Sequence, residues 1–245
     1  DLSNVPVEAI DTGSNSALNN GDDLRFSTDA AGVNQLALEV VSYTTSASAS
    51  ARSCQLWIRF PTYASGTRSV YMFYNKAGET QPAPSATYGS EKVWVDYEVV
   101  IHQGTTIDST GNHTPTLNGS PSLASMNWGG QGYDFQSTGQ SITIPHSASL
   151  NIQKVYTISV WTDVPVNNPS IGQLLINKSL SNSDGFRLFK TNGTVARQRS
   201  PNLSPSNLDT AVTLNKVRES FVFDGVTRES FSGSTSNGSD TPTGS

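Results

Sequence analysis

The pair of residues best placed to do chemistry is Asp96 and Glu98, in the run Trp94-Val95-Asp96-Tyr97-Glu98-Val99-Val100-Ile101-His102. On a β-strand, residues i and i+2 point to one face, so two carboxylates at this spacing would stand side by side. Paired carboxyl groups are what a glycoside hydrolase needs, one as the acid and the other as base or nucleophile. The position two residues earlier on the same face, Trp94, carries no acid. A polar strand edge is the simpler reading, and the chain is expected not to be an enzyme. No GxSxG, GxxxxGK[ST] or GxGxxG occurs, so the sequence offers neither a nucleophile elbow nor a phosphate-cradling loop. The three histidines, His102, His113 and His146, show neither HxH nor HExxH spacing. The single cysteine, Cys54, rules out an intrachain disulfide and a Cys-based zinc cluster.

Two weaker constellations point to binding. Asp108-Ser109-Thr110-Gly111-Asn112 is an oxygen-rich turn. Asp108 and Asn112 are candidate calcium ligands, because calcium takes carboxylate and amide oxygens. The competing reading is an Asx-type turn closed on its own backbone. Met126–Tyr133 is glycine-rich and holds Trp128 and Tyr133. With Trp57 and Tyr63 they are the candidate platforms on which the CH-rich face of a sugar can stack, and the Trp in the loop reads equally as a core plug. Six Asn-x-Ser/Thr triplets are expected by chance in a chain so rich in Asn, Ser and Thr.

Composition narrows the partners. Across 245 residues, 15 Lys and Arg stand against 20 Asp and Glu, a net charge of −5. That balance argues against nucleic acid, which calls for a clustered basic footprint. No apolar run approaches the roughly 18 residues of a membrane helix, so no membrane insertion is expected.

These residues are carried by strands. Period-two alternation predicts strands over residues 5–10, 36–43, 54–60, 69–74, 93–101, 141–144, 155–162, 173–177, 186–190, 217–223 and 226–231. Helical periodicity is nearly absent, so the fold class is all-β. In Ser53-Cys54-Gln55-Leu56-Trp57-Ile58-Arg59-Phe60 the alternation sends Cys54, Leu56, Ile58 and Phe60 to the core and Trp57 to the opposite face. Asp224-Gly225 between two alternating runs predicts a two-residue type I′ hairpin that pairs Phe223 with Val226, placing Phe221, Phe223 and Val226 together on the core side. The Pro-, Ser- and Gly-containing stretch 81–92 reads as a linker. The expected organisation is therefore an N-terminal β-sandwich over 1–80, the linker 81–92 and a second β-sandwich over 93–245.

The N-terminal part resembles an uncharacterised β-sandwich module of bacterial and phage surface proteins. The resemblance is carried by Gly21, Asp22, Asp23, Leu24, Arg25 and Phe26, then Trp57 and Pro61, then Tyr71, Phe73, Tyr74 and Asn75, then Tyr88, Gly89, Trp94, Tyr97 and His102. The remainder is similar to a concanavalin-A-like, laminin-G-like jelly roll, through DSTGN, GQGYDF, SITIPHSASL, TISVWT and FDGVTRESFSG. Asp96-Tyr97-Glu98 also resembles the ExDxE strand of laminarinase-like glycosidases, with Trp94 in place of that family's nucleophilic Glu. The resemblance implies a non-catalytic surface or virion module on a phage decoration, spike or tail-associated protein. It would be extracellular or on the virion surface, and would bind a glycan or host-surface polysaccharide, sometimes with calcium. The alternative is the accessory carbohydrate-binding part of a secreted polysaccharide-degrading enzyme. The polar run after the FDG hairpin, Ser232–Ser245, does not read as the closing strands of such a jelly roll. An open sheet edge would then be satisfied by a homo-oligomer or a larger assembly.

Overall fold

The structure is a computed structural model and describes residues 7–62, 65–102, 104–126, 131–151, 155–163, 173–178, 186–191, 195–199, 207–211, 216–232 and 234–241. The architecture is all-β: antiparallel strands joined by turns and short 3-10 segments, with no α-helix among the described residues. No helix among them is long and apolar enough to cross a membrane. The chain forms two compact units, residues 1–123 with 133–145, and residues 124–132 with 146–245.

In the first unit, β1 (Arg25–Ser27), β2 (Ala37–Thr44), β3 (Ser53–Arg59) and β4 (Tyr71–Phe73) build the frame, with β1 paired to β4 and β2 to β3. The short strands β5 (Thr116–Asn118) and β8 (Ser141–Thr143) pair within this unit; β6 (Ser122–Ser125) pairs with β7 (Gln131–Asp134), and the division between the units runs through both. The core holds Leu24, Phe26, Leu36, Leu38 and Tyr43, with Cys54, Leu56, Ile58 and Phe60 packed against them, as the alternation predicts. A β-bulge between Val40 and Ser42 makes this possible. The extra residue shifts the side-chain parity, so Tyr43 joins Leu38 and Val40 on the core side. There its hydroxyl donates to the Ala9 carbonyl at 2.8 Å.

The GDDLRF element is a clamp. Buried Asp23 accepts the backbone N–H of Leu18 at 2.8 Å through Oδ1, and those of Asn75 and Lys76 at 2.5 and 3.1 Å through Oδ2. Arg25 donates to the Asp22, Leu24 and Thr80 carbonyls and pairs with Glu79 at 3.3 Å. Gly21 has φ +88°, and a side chain there would meet the Tyr43 ring at 2.9 Å, so only glycine fits.

The segment expected as a linker, 81–92, lies inside this unit. Gln81 Nε2 donates to the Gly21 carbonyl at 2.8 Å, Leu38 N–H to the Tyr88 carbonyl at 3.3 Å, and Glu91 N–H to the Pro84 carbonyl at 3.1 Å. A Cβ on Gly89 would run into the Ala83 and Pro84 carbonyls. The strand expected over 93–101 does not form. Ser90–Val93 is a 3-10 turn, and the chain continues in turns that lay Val93 and Trp94 on the far face of β2 beside Ala37. The expected strand at 5–10 is instead a 3-10 segment at Val7–Ala9.

The second unit holds β9 (Tyr156–Asp163), β10 (Gln173–Lys178), β11 (Phe186–Thr191), β12 (Val195–Arg199), β13 (Asn207–Ala211), β14 (Lys216–Phe223), β15 (Arg228–Ser232) and β16 (Thr235–Asp240). They make two four-stranded antiparallel sheets, in the orders β10-β11-β12-β13 and β16-β15-β14-β9. The FDG hairpin forms with a register two residues from the one expected. Phe223 pairs with Arg228, not Val226. The cause is the Asp224 carboxylate, which accepts the N–H groups of Val226 at 2.8 Å and Thr227 at 2.6 Å. It thereby closes a four-residue Asx-type turn with Gly225 at φ +96°. Phe221 and Phe223 are buried, whereas Val226 is 62% exposed at the turn.

The polar tail also departs from expectation. Thr235–Asp240 pairs with β15 as an added strand. Its anchor is Arg228, fully buried, whose guanidinium grips Asp240 at 2.9 Å from Nε to Oδ1 and 2.5 Å from Nη2 to Oδ2. A bidentate charge-assisted pair replaces the missing apolar side chains as the reason for the strand.

Candidate functional site

The only acid within Leu36–Val41 is Glu39. Because it alternates with Leu38 and Val40, it points away from the core, to the face covered by the segment after Gly89. Directly opposite it on β3 is Trp57, and Ala37 is opposite Arg59. Glu39 is 9% exposed. Its Oε2 accepts the Trp94 indole N–H at 2.5 Å and the His102 Nε2–H at 2.9 Å, and Ser109 adds a third side-chain hydrogen bond. Burial pushes the Glu39 carboxyl up, but the bonds from His102, Ser109 and Trp94 and the charge of His102 outweigh it, leaving the group below its ordinary value.

Aromatic rings are layered over this network. The Trp57 ring stacks on His102, with centroids 5.7 Å apart and planes 21° apart, and meets Trp94 at 5.1 Å in a tilted contact. Tyr97 meets Trp94 edge-on at 5.3 Å. Trp94 and His102 are buried, while Trp57 is 41% and Tyr97 56% exposed. The buried half of the cluster is thus hydrogen-bonded through Glu39, and the exposed half is two flat rings.

The two carboxylates that suggested hydrolysis go to different partners. Asp96 pairs with Arg59 at 3.1 Å and Glu98 with His113 at 2.8 Å. Asp96 lies largely in solvent, whereas the His113 side chain is buried. The absence of a 93–101 strand removes the common face on which the two would have stood.

Asp108 is buried at the heart of an Asx-type turn. Its Oδ1 accepts the N–H groups of Val100 at 2.9 Å and Thr110 at 3.1 Å. Its Oδ2 accepts the Thr110 hydroxyl at 2.7 Å and the His113 N–H at 3.0 Å. Asn112 turns its amide nitrogen toward the Glu98 carbonyl at 3.4 Å, and its own N–H donates to Thr110 Oγ1. Of the two candidate calcium ligands, Asp108 thus has both carboxylate oxygens bonded to protein donors. No group of three or more His, Cys, Asp or Glu with metal-binding geometry occurs among the described residues. Tyr133 is half-buried, with its ring 6.2 Å from that of Phe135, and Tyr63 and Trp128 lie outside the described residues.

Two cavities flank β2. The larger, about 520 Å³, runs between Leu38–Tyr43 and Gln81–Pro84; its one aromatic residue is Tyr43, whose ring is in the core. The smaller, about 240 Å³, is lined by Arg59, Lys92, Tyr88, Gln35 and Pro61, among others.

Comparison of the chain with models of protein families, with curated proteins and with solved structures finds no match. What sequence reasoning passed over is Glu39 and its bonds to Trp94 and His102. The available signal was a lone acid inside the apolar run LALEVV, since a charge there must find a buried partner.

Proposed function

We propose that this protein is a non-catalytic surface module, of the kind found on virions or secreted adhesins, that binds a glycan or host-surface polysaccharide. In this reading the two units are β-sandwiches, the second a laminin-G-like jelly roll, and the chain works as part of an oligomer or larger surface assembly. The observation that carries the reading is the layered cluster on the far face of β2 and β3. Exposed Trp57 and Tyr97 rest on a buried network of Trp94, His102 and Glu39. A rigid aromatic surface offers contact area at little conformational cost, which favours binding. The placement of Asp96 against Arg59 and of Glu98 against His113 supports a non-catalytic role, because hydrolysis of a glycosidic bond needs two convergent carboxyl groups.

Affinity electrophoresis of the intact chain in gels cast with neutral and acidic polysaccharides tests this reading. Retardation by at least one of them is expected. Free migration in all of them, together with absence of the chain from purified virions or cell surfaces of its source, would overturn it.

A further inference from the structure

The geometry points to a binding site for an acidic, uronate-bearing polysaccharide on the first unit, formed by the exposed face of Trp57 and the adjoining cavity that Arg59 and Lys92 line. The inference rests on the glycan-binding reading above and gives it a place and a ligand class. Trp57 and Arg59 are alternate residues of β3, so they stand on one face about 7 Å apart. His102 and Trp94 both lie against the Trp57 ring, and the residue is still 41% exposed. That surface is flat and apolar, as the CH-rich face of a pyranose is.

Next to it, the 240 Å³ cavity is smaller than the roughly 300–1,000 Å³ of pockets that enclose drug-sized ligands, and suits a single sugar ring. Its charged lining is cationic. Arg59 pairs with Asp96, whose side chain is 76% exposed, and an exposed pair is worth little. Lys92 has no acidic partner within ion-pair distance among the described residues. Tyr88, 36% exposed, adds a phenol to the wall, and its carbonyl is fixed by the Leu38 N–H. Two cations and a phenol beside an indole face match a sugar carboxylate next to a stacked ring. A protein partner would require a wider apolar surface than one indole and one phenol ring.

Calorimetric titration with oligogalacturonate, and with a neutral glucan oligosaccharide of equal length, tests the assignment on the full chain. Oligogalacturonate is expected to bind more tightly than the glucan, with affinity falling as salt rises. Trp57→Ala should weaken it about tenfold or more. Lys92→Gln, which breaks no ion pair among the described residues, should leave the fold intact and erase most of the preference for the acidic sugar. Unchanged oligogalacturonate affinity in both variants would overturn the site while leaving the glycan-binding reading in place. Loss of binding in Trp57→Ala with no acidic preference at any stage would overturn the uronate assignment. Failure of the wild-type chain to bind either probe or to be retarded by any polysaccharide would overturn the reading and the site together.

Discussion

Glu39 Oε2 and His102 Nε2 lie 2.9 Å apart, 63 residues distant in the chain, in a site from which water is nearly excluded. This contact ties the turn-rich segment after Gly89 to the far face of β2 and holds the ring on which Trp57 stacks. Removing the carboxylate leaves the Trp94 indole, the His102 ring and the Ser109 hydroxyl without their acceptor in a buried site, together about 3 kcal/mol or more. Glu39→Ala is therefore expected to lower stability in urea by that order. Glu39→Gln, which keeps the shape, should cost less, about 1.5–3 kcal/mol. An unchanged urea midpoint in both variants would contradict the network.

Asp23 is expected to behave as a structural carboxylate. Asp23→Ala strands the N–H groups of Leu18, Asn75 and Lys76, a loss of about 3 kcal/mol or more. Hydrogen exchange at Asn75 and Lys76 should quicken selectively. Unaltered exchange there would show that another acceptor serves these amides.

Acid stability follows from the carboxylates held below their ordinary range. Asp29 is lowered to about 2, chiefly by the Asn34 N–H, with help from the Ser27 hydroxyl and the N–H groups of Val33 and Ala31. Glu39 is lowered in the same direction. A group whose pKa is depressed on folding contributes stability above its unfolded value, and that contribution fades as pH falls through the folded one. Stability should thus be full above about pH 5 and decline toward about pH 2. Asp29→Asn should flatten the lower part of that decline; a decline as steep as in the wild type would remove Asp29 from the explanation.

In the second unit, Asp240→Ala leaves the fully buried Arg228 without its bidentate partner. The expected cost is about 3–5 kcal/mol. Pairing Arg228→Met with Asp240→Leu should recover much of it, because two apolar residues need no charge partner. If the double variant is no more stable than Asp240→Ala alone, the pair is not what holds β16.

How much was legible depended on what held each element. The core face of β3 was readable because Cys54, Leu56, Ile58 and Phe60 alternate and nothing competes with that pattern. Residues 93–101 alternate equally well, yet tertiary contacts override the pattern. Trp94 bonds to Glu39, Asp96 to Arg59 and Glu98 to His113, and these bonds fix turns instead of a ladder. The hairpin was recognisable from Phe221, Phe223 and the Asp224-Gly225 turn, but its register depended on which N–H groups the Asp224 carboxylate would accept. β16 was invisible to an apolar pattern, since a salt bridge from Asp240 to Arg228 anchors it. Trp57 was legible as a stacking candidate, but its setting was not, because Glu39, Trp94 and His102 around it come from separated segments.

Cys54 gives an independent check on the first core. Burial raises its thiol pKa, and its side chain packs beside Tyr43, opposite it on β2. The thiolate is the reactive form, so a maleimide should label the native chain slowly and the urea-unfolded chain quickly. Equal rates would place Cys54 outside the core.

The central claim is binding without catalysis. Its most direct test is to incubate the intact chain with each polysaccharide that retards it and to measure new reducing ends. The account predicts retardation with no release of reducing ends over the buffer control. Release that disappears in the Asp96→Asn, Glu98→Gln double variant, with the fold intact, would contradict it and make the protein a glycosidase.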